Sequence, residues 1–157
     1  GLPINRLLSI FSEHPLPTNA PLSSLLPVLL SATLEASRAI AAYRDEANLA
    51  FAQQLRDYIA AHFSDPQLSI SVLCDVFHIS QTQLSLVFRR DLGTTFLQYV
   101  LDMRIDRARH LLLHSDKKVY EIALETGFED PGYFSYCFRQ RCGLTPKNFR
   151  QEAKSHE

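Results

Sequence analysis

Cysteine is scarce in this chain. Cys74, Cys137 and Cys142 are the only three, and no two are spaced C-x-x-C. That excludes a disulfide framework, and it points to a reducing compartment with small, half-buried thiols. Long apolar runs are missing too. Nothing approaches the roughly 18 to 20 residues of a membrane span. The run Leu25 to Leu30 contains Pro27 and lacks a basic lead-in, so it is no secretory signal. The chain also carries no G-x-S-x-G, P-loop, paired-carboxylate or Cys–His arrangement in a credible context, so no enzyme is expected. Finally, there is no excess of one charge: 16 Lys+Arg stand against 17 Asp+Glu. Taken alone, that balance argues against a partner made of phosphates.

What is present is a core-forming chain. Hydrophobic residues make up 46% of 157, which excludes disorder as the overall class. They are unevenly placed. Only two of sixteen aromatics, Phe11 and Tyr43, precede residue 49, and five of the eight prolines fall in the first 27 residues. The expected division is therefore a helical linker, signalling or dimerisation segment over 1–48 and a self-sufficient domain over 49–157. Within the first part a short helix is expected over Ile4–Phe11, then a Pro-broken loop over His14–Pro21. From Val28 to Phe63 neither Gly nor Pro intervenes, which suits one long helix of about 54 Å or two packed ones. A homodimer through residues 28–48 is one reading of it. The heptad signal is poor, because Ser37, Arg44 and Asn48 fall on the seam.

The second part reads as all-α. Leu55, Tyr58, Ile59 and Phe63 follow a helical period that ends at Ser64-Asp65-Pro66. Ser69 caps a helix over Ile70–Phe77 with Val72, Leu73 and Val76 inward. Ser80 caps another that stops at Gly93, and Thr95 caps a long one over Phe96–Leu113. Sliding the chain by 50 residues superposes Ser80 on Asp130, Phe88 on Phe138, Arg89 on Arg139, Gly93 on Gly143 and Thr95 on Thr145. Slightly upstream, at an offset of 49, His78 meets Gly127. Each copy is a short helix, a tight turn and a capped helix, the layout of a helix-turn-helix. The joining helix would span roughly 27 Å. With the helix widths added, the two second helices would lie about one DNA turn apart, on the order of 34 Å.

The second helix of each copy, about Gln81–Leu92 and Pro131–Cys142, keeps its apolar residues on one stripe. Its other face exposes Gln81, Thr82, Ser85, Leu86 and Arg89 in the first copy. In the second copy that face carries Pro131, Gly132, Tyr133, Ser135, Tyr136 and Arg139. Such residue types reach base edges and phosphates. Gln81, Thr82, Ser85, Leu86, Pro131, Gly132, Tyr133 and Tyr136 are the expected base-facing set. Arg89 and Arg139 are the expected phosphate contacts. Thr95 and Thr145 are helix caps whose neighbouring N–H groups are open to phosphates. Between Phe128 and Arg150, Arg139, Arg141, Lys147 and Arg150 face only Glu129 and Asp130, a modest basic face hidden by the whole-chain balance.

The elements Glu121-Ile122-Ala123, Gly127-Phe128, Tyr133-Phe134-Ser135, Phe138-Arg139, Gly143-Leu144-Thr145-Pro146 and Phe149-Arg150 resemble the signature of the AraC/XylS transcription regulators. The resemblance reaches back to about Phe51 and covers roughly 100 residues. It implies a seven-helix DNA-binding domain with two helix-turn-helix units, fused to a variable regulatory domain. Double-stranded DNA is the implied partner and RNA polymerase a possible second one. The implied setting is the bacterial cytoplasm, with no cofactor or metal. Three positions depart from the family pattern. Leu86 and Tyr136 stand where Arg is common, and His78 replaces a turn Gly. Leu86, Tyr136 and the near-neutral net charge favour a second reading, a helical protein-interaction module that kept the fold but lost tight DNA binding. An enzyme or metal-dependent sensor has only stray pairs in its favour, His110 with His114 and Cys74 with His78, each at i, i+4, and no third ligand stands near the histidines. The chain begins with Gly1, so a longer protein with a sensing or membrane part upstream is expected.

Overall fold

The computed structural model describes residues 4–13 and 21–155, and every regular element among them is an α-helix. In order these are α1 (Ile4–Glu13), α2 (Leu22–His62), α3 (Ile70–Phe77), α4 (Gln81–Asp91), α5 (Phe96–His114), α6 (Val119–Glu125), α7 (Pro131–Cys142) and α8 (Pro146–Ser155). Two compact units emerge, residues 1–51 and 52–157, the division falling inside α2.

In the first unit, α1 extends the expected helix by two residues. Of the expected Pro-broken loop, residues 14–20 lie outside the described residues. The stretch after Pro27 is one helix, not two, and it starts upstream of that proline. Pro27 sits in the second turn, where it removes one bond to a preceding carbonyl while the Ala- and Leu-rich remainder propagates. This corrects the membrane expectation as well. With Pro27 inside the helix, α2 holds an 18-residue window of mean hydropathy 1.4, only 6% buried, so length and composition would let it cross a bilayer. Leu26, Leu30 and Leu34 are exposed along it, and Ala32 is buried.

The second unit is built from the repeat. Leu55 and Ile59 near the end of α2 are fully buried, and Tyr58 stacks on His62 with ring centroids 4.1 Å apart. Ser69 Oγ accepts the Val72 N–H to start α3. Leu73 is buried beneath it, whereas Val76, expected inward, is left exposed. His78 ends α3 in the left-handed region at φ 53°, and Ser80 and Gln83 then form a reciprocal capping box at the start of α4. The second copy repeats the scheme. Gly127 takes the left-handed turn at φ 85°, and Asp130 caps α7 by accepting the Gly132 N–H at 2.7 Å. Thr95 and Thr145 accept the N–H groups of Gln98 and Asn148, each at 3.3 Å, to start α5 and α8.

The cores differ in substance. Ile105, Ala108, Leu111, Leu112, Ile122, Ala123, Phe128, Phe134, Cys137 and Phe138 form one cluster under the second copy. Its rings meet edge-on, Phe128 to Phe134 at 5.1 Å and Phe138 to Phe149 at 5.4 Å. Under the first copy, Leu73, Leu84, Phe88 and Val100 are buried, with Phe96 edge-on to Phe88 at 5.7 Å.

Two arginines finish the frame. Arg104 donates to the carbonyls of Phe63 (2.7 Å) and Asp65 (2.9 Å), just past the end of α2. Arg150 donates to the Leu112 carbonyl in the last turn of α5 (3.1 Å) and to the Lys117 carbonyl in the loop after it (2.7 Å). Each ties loop backbone to a distant helix, and the Asp65 carbonyl accepts the Leu68 N–H as well. Gly127 adds a close approach, because a Cβ there would lie 2.8 Å from the Ser64 carbonyl oxygen. The loop that opens the first copy thus rests directly on the turn of the second.

Candidate nucleic-acid interface

Helices α4 and α7 occupy equivalent places in the two copies, and each turns a buried stripe inward. Leu84 and Phe88 anchor α4, while Phe134, Cys137 and Phe138 anchor α7. Position along the helix then decides which side chains are left outward. On α4 these are Gln81, Thr82, Leu86 and Arg89, all exposed, with Ser85 half-buried among them. Together the five line one shallow hollow. On α7 the outward residues are Gly132, Tyr133, Tyr136 and Arg139, and Pro131 is half-buried at the first helical position. Ser135 is turned back, its hydroxyl donating to the Pro131 carbonyl at 2.9 Å.

The cations separate into two kinds. Arg89 and Arg139 are exposed at matching places and make no ion pair among the described residues. Arg90, by contrast, lies fork-to-fork on Asp91 with both contacts at 2.8 Å, and that bond holds the Asp91 carboxyl below its ordinary pKa. Two members of the expected basic face are engaged elsewhere. Arg141 pairs with Asp102 at 2.6 Å, and Arg150 is the carbonyl clamp described above. Lys147, at the start of α8, remains exposed. The basic face is therefore narrower than the linear count, because tertiary partners draw off half of it. A hydrogen bond with Cys137 raises the Tyr133 phenol above its ordinary pKa, which leaves it a neutral donor.

Thr95 and Thr145 have their hydroxyl oxygens on their own helix starts, so what they offer a phosphate is the adjoining backbone. Beside Arg89 lies a feature that no motif in the sequence marks. Ile70, Phe88, Phe96 and Leu97, with Ser85 and Thr95, wall a cavity of about 260 Å³ whose rim is Arg89. Only the packing of α3, α4 and α5 brings these residues together. No trio of His, Cys, Asp and Glu able to hold a metal occurs among the described residues. His110 and His114 are exposed at the end of α5 with rings 4.5 Å apart. Burial pushes the Cys142 thiol up, away from the reactive thiolate form.

Known proteins carry the same arrangement. A family model described as a helix-turn-helix domain matches residues 73–152. The HTH-type transcriptional activator RhaR of Cronobacter sakazakii is 38% identical over 88 residues, 56% of this chain and 31% of that protein. The HTH-type transcriptional activator RhaS of Enterobacter sp. is 35% identical over 106 residues, 68% of this chain and 38% of that protein. Among solved structures, the C-terminal domain of the two-component response regulator YesN from Fusobacterium nucleatum superposes with a TM-score of 0.61. It is 36% identical, with 62% of this chain and 95% of that one covered. The chain spans about a third of the length of the curated relatives it matches. With its paired turns, capped outward helices and signature residues, the chain belongs to the AraC/XylS family of helix-turn-helix transcription regulators.

Proposed function

We propose that the chain binds double-stranded DNA sequence-specifically, α4 and α7 entering successive major grooves on one face of the duplex, and that it regulates transcription. The observation that carries this is the recurrence of one unpaired arginine on each outward helix. Among the described residues Arg89 and Arg139 have no acidic partner, while their neighbours Arg90 and Arg141 are paired with Asp91 and Asp102. Gln81, Thr82, Ser85 and Leu86 on α4, and Pro131, Gly132, Tyr133 and Tyr136 on α7, form the base-facing set. Arg89, Arg139 and the helix starts after Thr95 and Thr145 take phosphates. Because the two copies differ along one chain, the half-sites are unlike and need no palindrome.

Such a protein works in the cytoplasm, where it meets both chromosome and RNA polymerase, and recruits or excludes the latter. With few free cations its non-specific affinity is low, so useful occupancy draws on a second chain paired through residues 28–48 and on a sensor domain upstream. Exposed Leu30 and Leu34 within that segment's reach support the pairing.

Titration of random-sequence duplex DNA at rising salt tests the reading. Affinity should fall steeply with salt, and Arg89→Ala or Arg139→Ala should each flatten the log–log slope by about 0.9. No binding at low salt sinks it.

A further inference from the structure

We propose that Leu86 reads the C5-methyl group of a thymine at the centre of the half-site under α4, so that binding there depends on that single methyl. The inference rests on the DNA-binding reading above and goes on to name what one half-site must contain.

Leu86 is 60% exposed, although the core beneath α4 is already filled by Leu84 and Phe88. It is no spare core residue, for it lies in the outward hollow with Gln81, Thr82, Ser85 and Arg89. Thr82 stands one turn before it and Arg89 one turn after, so the outward line reads methyl, isobutyl, guanidinium. Arg89 on a phosphate would hold the helix in the groove and bring Leu86 against the base edges. An isobutyl group neither donates nor accepts a hydrogen bond. The thymine methyl is the apolar feature that major-groove base edges offer it. Any other base edge would leave a donor or acceptor desolvated against carbon, which is unfavourable. The second copy lacks this device. Its outward line holds Tyr133 and Tyr136, 54% and 62% exposed, whose hydroxyls supply the hydrogen bonds that Leu86 cannot.

The test starts with selection of tight binders by the 157-residue chain from a randomised duplex library. A selected duplex is then rebuilt with deoxyuridine in place of each thymine in turn, which removes the methyl and leaves every hydrogen-bonding group. One substitution in the α4 half-site should weaken binding about fourfold, the worth of one buried methyl. L86A, a change on an exposed helix face to a better helix former, should bind the thymine and deoxyuridine duplexes alike. L86M, which keeps an apolar tip, should retain the preference. Wild-type binding indifferent to every deoxyuridine overturns the inference and leaves the DNA-binding reading standing. So does an L86A chain that keeps the full deoxyuridine penalty. Failure to bind any duplex overturns both.

Discussion

The two helix-turn-helix copies share one plan of caps and turns, yet they are held together differently. The second closes over a continuous cluster with three buried phenylalanines, Phe128, Phe134 and Phe138. The first, among the described residues, buries one aromatic, Phe88, beside the aliphatic Leu73, Leu84 and Val100, while the rings next to it, Phe96 and Tyr99, are only half-buried. Local stability follows buried apolar contact, so the second copy is the scaffold and the first is the more adaptable reader. The sharpest way to break this comparison is to empty each core. Phe138→Ala should cost about 3–5 kcal/mol and take α5, α7 and α8 with it. Phe88→Ala should cost less, because Phe96 and Tyr99 beside it can relax into the space. Urea unfolding of the two variants decides, and a larger loss for Phe88→Ala would invert the assignment.

The turns come next in size. Gly93 and Gly127 both have positive φ, but an added Cβ meets nothing within 4 Å at Gly93 and backbone at 2.8 Å at Gly127. Gly93→Ala should therefore cost only the left-handed penalty, about 1 kcal/mol. Gly127→Ala adds a clash that cannot be relieved by a side-chain rotation, and roughly 2–4 kcal/mol is expected. Equal shifts in thermal midpoint would show that the contact between the Ser64 loop and the second copy carries no weight.

The arginine clamps then separate the copies by location. Arg104→Ala and Arg150→Ala should each cost about 1–3 kcal/mol through lost charge-assisted bonds to carbonyls. Burial lowers the Arg104 pKa, but it starts so high that the clamp stays charged across any workable pH. Hydrogen exchange should then report different regions. Loss of Arg104 should release the end of α2 and the first copy, and loss of Arg150 the end of α5 and the second. Deprotection of the same amides by both substitutions would mean that the domain opens as one body.

The caps and turns were legible in the sequence because their chemistry is local. Ser69, Ser80 and Thr95 cap as expected, and His78 and Gly127, which meet at the offset of 49, both take left-handed turns. The all-α architecture follows from the same signals. What was not legible depends on partners far along the chain. Arg141 and Arg150 look like groove cations until Asp102 and the Leu112 carbonyl are folded against them. The apolar cavity beside Arg89 joins Ile70 to Leu97 across three helices, and no sequence period announces it. Pro27 misled in the other direction, since a single proline near the start of a long helix removes one bond without ending it.

The smallest effect tests the repeat most directly, because it gives the first copy the second copy's turn residue. His78 occupies the left-handed region at φ 53°, ψ 42°, where a side chain costs about 1–2 kcal/mol relative to glycine. Glycine would relieve that strain, but it also widens the unfolded ensemble, which takes back about 0.4–1 kcal/mol. The difference leaves His78→Gly stabilising by roughly 0.5–1 kcal/mol, from the same two effects. His78 is exposed, so no buried contact is lost in the exchange. A small rise in thermal midpoint should follow, with the first copy gaining exchange protection and the second unaffected. A fall instead would mean that the imidazole holds the turn through its own contacts, and the two turns would then be alike in backbone only.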